Sequence, residues 1–285
     1  VAILACSIYA NLSLAVKDPA HYRYFPPFER GVNANDNHQL ITVTEYANIA
    51  RSLLQGKGYA NPFGRQTGPT AWMPPPLPLF LVALLWLSNG STTFVYWAIV
   101  VVQVLVLAGT GVLILAVVRQ TCRIAPAIAA AIYLLALLCH FRLAFQWTHD
   151  CWLILLMLDL LIAGHCWYRP LNTRLSAASW GFLGGICALV NPMVGLAWAV
   201  PCIAVAAQER AWRQFSVAAI VAGCTLAPWM AWNYWVFGRF IPVKSNLAYE
   251  LYQSQCLQHD GLIRRSTFSH HLGIAGSREG NAYDE

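Results

Sequence analysis

Acidic side chains are scarce in this sequence, 12 in 285 residues, so each one in an unusual setting is a candidate for chemistry. Asp159 lies inside the run LILLMLDLLIAG, about 13 Å along a helix from Asp150 at 1.5 Å per residue. An ionisable group in such a run is costly unless it has a task or bonds to a polar group on a neighbouring helix, and the sequence leaves both roles open. Asp150, beside His149, stands at the head of the same run, where its carboxylate could orient an acceptor, hold a metal ion or pair with a base. It could equally cap the helix, because the dipole favours an acid there. His149 is carried with it as a candidate binding residue, although a single interfacial His is more often a hydrogen-bonded surface residue than a ligand. Glu45 and Asp36 are the acids of the first long polar segment, and Arg65, Arg239 and Lys244 are cations suited to an anion at the edges of the polar segments. His259, His270 and His271 fit no familiar ligand spacing, and the cysteines form no C-x-x-C pair, so neither a zinc site nor a disulfide framework is expected.

The elements that must position these groups follow from composition. Hydrophobic residues make up 58% of the chain and charged residues 11%, against about 25% charged in a soluble domain. Stretches 94–118, 124–141, 175–208 and 214–237 contain no Asp, Glu, Lys or Arg, and each supplies helix for a bilayer core that takes roughly 20 residues. The formal charge of +6 does not indicate nucleic acid: the basic residues fall in clusters between apolar segments, Arg119 with Arg123, Arg169 with Arg174, Arg210 with Arg213. That is how cytoplasmic loops read under the positive-inside rule.

The sequence begins inside an apolar run, without Met, and stops in polar sequence, so both ends are read as cut, and the absence of an A-x-A site favours a truncated first membrane helix over 1–16. Residues 17–93 then form an external loop, 94–236 a bundle of about six membrane helices, and 237–285 the start of a second external segment. The apolar stretch 77–87 is short, follows Pro74, Pro75 and Pro76, and ends at Ser88-Asn89-Gly90. Laid along the membrane surface it leaves all three basic clusters cytoplasmic; as a span it would turn them outward. Spans are therefore expected at 94–118, 125–141, 151–167, 176–191, 193–207 and 215–236, seven in all with the first. Within the external loop, 42–55 (TVTEYANIARSLLQ) sets Val43, Ala47, Ile49, Ala50, Leu53 and Leu54 on one side and Thr42, Glu45, Asn48 and Ser52 nearly opposite, a helix pattern that stops at Gly56-Lys57-Gly58. Its expected place is flat on the membrane with the apolar side down.

Two blocks carry a resemblance. The run GKGYANPFGRQTGPTAWMPPPLPLFLVALLWLSNG at 56–90, preceded by EYANIARSLLQ, resembles the first external loop of bacterial lipid-linked sugar transferases, a family similar to the protein O-mannosyltransferases and aminoarabinose transferases of the GT-C fold. The run LAPWMAWNYWVFGRFIPVKSNLAYELY at 226–252 resembles the family's helix ending in A-P-W, an N-Y pair, F-G, and S-N before E-L. The resemblance implies an all-α, polytopic, GT-C-like protein with interfacial helices in its large first loop. It implies an enzyme of the bacterial inner membrane that takes a sugar from a polyprenyl-phosphate donor to an acceptor on the periplasmic face, usually by inversion, using an acid of that loop. A carboxylate can take the proton of an acceptor hydroxyl, itself a weak nucleophile, as the bond to the donor phosphate breaks. Where the better-known branches carry an Asp-Glu pair this sequence has Thr42, and Glu45 stands one turn later on the same face, so Glu45 is preferred to Asp36 as base. Family members often bear an acid where Asp150 stands, which makes it a second catalytic candidate. Where the family has Arg before the N-Y pair this sequence has Trp232, which leaves phosphate contact to Arg239, Lys244 or Arg65, with lipid-headgroup snorkelling as their alternative role.

The resemblance thus implies a polyprenyl-phosphate sugar as donor, a protein, lipid or glycan as acceptor and the bilayer as medium; no cofactor is indicated and a divalent metal is left open. A secondary transporter, with Asp159 and Gly184-Gly185 at its midplane, is the alternative from another class, and a non-catalytic membrane subunit is the third.

Overall fold

The computed structural model describes residues 1–17, 45–62, 66–121, 126–136 and 150–245. Among these residues the chain is all-helical apart from one isolated antiparallel bridge, Ala60 with Pro69. In chain order the helices are α1 Ala2–Lys17, α2 Glu45–Leu54, α3 Pro76–Leu87, α4 Thr92–Thr121, α5 Pro126–Ala136, α6 Cys151–Ala163, α7 Arg174–Val190, α8 Pro192–Gln208 and α9 Trp212–Phe237. A helix thus stands at each of the seven expected spans. Among the described residues three are long and apolar enough to cross a membrane: Thr92–Thr121, Cys151–Tyr168 and Trp212–Phe237. The helices α5, α7 and α8 are apolar but shorter.

The chain divides into two compact units. One comprises residues 1–25 and 93–228, the other 26–92 and 229–285.

In the first unit, four successive helices are tied by short connections. Residues 169–173 join α6 to α7, Asn191 alone joins α7 to α8, and residues 209–211 join α8 to α9. Such links force each helix to run back beside its predecessor, so Arg169, Arg174, Arg210 and Arg213 all fall at one end of this group and Asn191 at the other. Asn191 is extended and ends α7, while its side-chain oxygen accepts from Met193 N at 2.9 Å to start α8, with Pro192 at the first helical position. At the other end Thr173 and Ser176 form a reciprocal capping box at the start of α7.

The core of this unit contains Met157, Leu161, Trp180, Cys187, Trp198 and Ala218. Glycines set how closely its helices approach. A Cβ on Gly181 would stand 2.2 Å from the Ala218 carbonyl oxygen, one on Gly185 2.5 Å from Thr225 Cβ, and one on Gly184 2.4 Å from the Trp198 ring. Gly164 opens a π-helical turn, Gly164–Tyr168, that continues α6, and a Cβ there would strike the Trp180 ring at 2.2 Å.

Asp159 receives a partner that its own neighbourhood does not reveal. The Thr110 hydroxyl on α4 bonds Asp159 Oδ2 at 2.6 Å, and the Tyr133 hydroxyl on α5 donates to the Leu107 carbonyl one turn away on α4. These bonds tie α4, α5 and α6 together through polar groups inside apolar helices. The outward faces are apolar as well, with Val101, Leu105 and Val112 on α4, Ile128 and Ile132 on α5, and Leu196 and Val200 on α8 exposed. Helices that keep such side chains outside are matched to an apolar solvent rather than to water.

The α7–α9 approach at Gly181 is against backbone, which cannot give way. Gly181→Ala should lower the thermal stability of the detergent-solubilised protein by about 1–3 kcal/mol. Gly223→Ala, on α9 with nothing within 4 Å of the added methyl, should be neutral or stabilise by up to about 1 kcal/mol. Equal melting temperatures for the two variants would show that the crossing is not close.

Candidate functional site

The second unit holds α2, α3, the loop between them, and residues 229–245 at and beyond the end of α9. Glu45 is the first residue of α2 and half-buried there, where the amide groups of the first turn favour a negative charge. At the other end of α2, Gly56 N bonds Leu53 O and Lys57 N bonds Ser52 O, with Gly56 at φ +72°. This is the glycine stop that Gly56-Lys57-Gly58 predicts. The chain leaves α3 in the same way, with Asn89 at φ +50° and Gly90 N on Leu85 O.

The placement of α2 differs from expectation. Ala47, Ile49 and Ala50, which the sequence analysis turns toward lipid, are wholly buried within the protein, because α2 packs against α3. The buried side of α3 is the row Leu77, Leu81 and Leu85 at four-residue spacing, a ridge suited to the small Ala47 and Ala50. The apolar face left open is on α3 instead: Leu79, Trp86 and Leu87 are exposed.

On the polar side of α2, Asn48 Nδ2 donates to Pro62 O at 2.8 Å, and Ser52 Oγ accepts from Asn61 Nδ2 at 3.1 Å. Asn61 sits at φ +60° and its Oδ1 accepts from both Thr67 N and Gly68 N, so this one side chain shapes the loop and fastens it to the helix. Asparagine is among the few residues that adopt this backbone readily. Next to it, Tyr59 donates its hydroxyl to Met73 O at 2.7 Å, and burial raises the phenol pKa well above its ordinary value, so Tyr59 remains a neutral donor.

Tyr59 is also where the two recognisable blocks meet. Its ring stands edge-on to Trp229 at 5.0 Å and to Trp232 at 5.6 Å, and Trp229 and Trp232 stack at 4.9 Å with an interplanar angle of 13°. Trp232, which replaces the arginine of the resembled pattern, is therefore an aromatic packing residue, with Phe237 on its edge at 5.9 Å. After α9 the chain turns at Gly238, φ +64°, and folds back. Trp229 Nε1 donates to Val243 O at 2.6 Å, Asn233 Nδ2 donates to Ile241 O at 2.8 Å, and Ser245 N donates to Ala71 O at 2.9 Å. Asn233 is fully buried, and its Oδ1 has no hydrogen-bond partner among the described residues. Leaving such an acceptor unpaired costs about 1–3 kcal/mol.

Of the residues singled out from sequence, Glu45, Arg239 and Lys244 belong to this unit, and Asp150 belongs to the other. Asp36, Arg65 and His149 lie outside the described residues, as do His259, His270 and His271. Asp150 is the N-cap residue of α6. Its carbonyl accepts from Leu153 N and Ile154 N, but its carboxylate makes no capping bond, so capping in the side-chain sense is not its role. Among the described residues no three His, Cys, Asp or Glu side chains are grouped to hold a metal ion. Trp229, Asn233, Tyr59 and Asn61 escaped the sequence analysis as site-forming residues; the signal available was the N-Y pair and the four-residue spacing of Trp229 and Asn233.

Comparison with known protein families, with curated proteins and with solved structures gives no match.

Asn61 supplies both a strained backbone position and three side-chain bonds. Asn61→Ala should destabilise the loop by about 2–4 kcal/mol and open it to trypsin at Lys57, whereas Asn61→Gly, which keeps the backbone freedom, should cost less. Equal losses in thermal unfolding and in cleavage rate would remove the backbone contribution.

Proposed function

We propose that the chain is an integral membrane glycosyltransferase of the GT-C type, which moves a sugar from a polyprenyl-phosphate donor to an acceptor hydroxyl at the outer face of the membrane. The observation that carries this reading is the joining of two sequence blocks some 170 residues apart. The runs 56–90 and 226–252, which resemble parts of lipid-linked sugar transferases, are fastened to each other by the edge contacts of Tyr59 with Trp229 and Trp232 and by the Ser245–Ala71 bond. Glu45, Arg239 and Lys244 belong to that same unit.

In this reading Glu45 accepts the proton of the acceptor hydroxyl as its oxygen bonds to the anomeric carbon. The bond from that carbon to the phosphate oxygen breaks, and polyprenyl phosphate leaves with the electron pair. Such a base contributes about 10²–10⁴ in rate. Arg239 and Lys244 offset the charge that gathers on the departing phosphate. Asp150 is proposed as a further acid that the reaction requires, and the open apolar face of α3 rests on the lipid surface. The acceptor is a protein, lipid or glycan hydroxyl.

The features that would favour a secondary transporter are occupied otherwise. Asp159 is bonded to Thr110, and Gly184 and Gly185 lie within an uninterrupted α7 where they admit Trp198 and Thr225.

Mass spectrometry of lipids that copurify with the full-length protein should find polyprenyl phosphate. Glu45→Gln should lower donor-dependent sugar transfer at least about 100-fold while that lipid is retained, and Asp150→Asn should lower transfer as well. Full transfer by Glu45→Gln removes Glu45 from the mechanism. Binding of a soluble substrate with no polyprenyl phosphate present would favour the transporter.

A further inference from the structure

We infer that Trp229 and Asn233 are positioning residues that fix Lys244 for the donor phosphate. They lie four residues apart, one turn along the same face of α9, and each uses its only bonded side-chain donor on a backbone carbonyl of the returning segment. The two carbonyls belong to Ile241 and Val243, and the next bond outward is Ser245 N to Ala71 O. The backbone of Lys244 is consequently fastened on the residue before it and on the residue after it, first to α9 and then to the loop that follows α2.

Three features argue that this fastening exists for position rather than for stability. Asn233 is fully buried yet leaves its Oδ1 unpartnered among the described residues, where an aliphatic side chain would fill the space without that loss. The orientation of the amide is fixed by its partner, since only the nitrogen can donate to the Ile241 carbonyl. The Trp229 indole is held by the Trp232 stack and the Tyr59 edge contact while its N–H donates to the Val243 carbonyl. A lysine has a long and flexible stem, so fixing the backbone that carries it narrows the space its ammonium group sweeps.

The assignment of Lys244 to phosphate rests on the glycosyltransferase reading; the clamp does not. Two measurements on the full-length protein separate them. In steady-state transfer, Asn233→Leu should raise the KM for the polyprenyl-phosphate sugar about tenfold. In a Lys244→Met background, where KM is already raised, the same change should have no further effect. Trp229→Phe, which keeps a ring and loses the N–H, should behave like Asn233→Leu. Equal factors in the two backgrounds would mean that the residues act independently and would overturn the inference. The geometry is read by disulfide cross-linking of Ala71→Cys with Ser245→Cys, whose yield should fall at least fivefold in the Asn233→Leu protein; undiminished yield overturns the clamp. Absence of any transfer by the otherwise wild-type protein would overturn the glycosyltransferase reading and, with it, the role given to Lys244, leaving the cross-link to decide the clamp alone.

Discussion

One indole donor, on Trp229, and one amide donor, on Asn233, hold the segment that returns from the end of α9. The bonds from Trp229 and Asn233 reach the carbonyls of Val243 and Ile241, and the Ser245–Ala71 bond ties the same segment to the loop that follows α2. Each bond is modest by itself, about 0.5–1.5 kcal/mol net. Their value lies in being made at two points of a short segment whose other end is already tethered, so that little freedom is left to the residues between. The aromatic rings around them exclude water, which would otherwise compete for the same carbonyls.

The two units solve different physical problems. In the first, the helices leave large apolar side chains such as Leu105, Ile132 and Val200 exposed, so burying hydrocarbon alone does not specify which helix faces which. Selectivity comes instead from close approach at glycines and from a few polar contacts, of which Asp159 with Thr110 is the clearest. In the second, α2 is small-faced and fits the leucine row of α3, and polar side chains of α2 organise a loop. That loop is held by the side-chain bonds of Asn48, Asn61 and Tyr59 together with buried Ala60, Ala71 and Trp72.

Much of this was legible because it is local. The positions of α4 and α6 to α9 follow from apolar runs, the end of α2 from Gly56, and the stop of α3 from Ser88-Asn89-Gly90. Periodicity found the apolar face of α2 but could not say what covers it, since lipid and the Leu77–Leu81–Leu85 row are equally suitable partners for Ala47 and Ala50. The partner of Asp159 is 49 residues away on a helix charged only at Arg119 in its last turn, and nothing in the run around Thr110 marks it. Trp229 is legible only as part of the A-P-W motif; its indole bond to Val243 depends on a chain reversal that sequence periodicity does not encode. Of the candidate site, the acid at Glu45 and the cation at Lys244 could be named from residue type, whereas the bonds that aim the lysine could not.

The single-residue junction between α7 and α8 has a consequence for whatever surrounds it. Each of these helices has 17 residues, about 25 Å of rise, against a hydrocarbon layer of about 30 Å. Asn191 adds almost no length and its own side chain satisfies the start of α8, so the turn neither needs nor provides a wet loop. Were this pair to cross a bilayer, the bilayer would have to become thinner by several ångströms on that flank, or let headgroups dip toward Asn191. The protein would then sit in a locally dimpled membrane and prefer lipids with shorter chains.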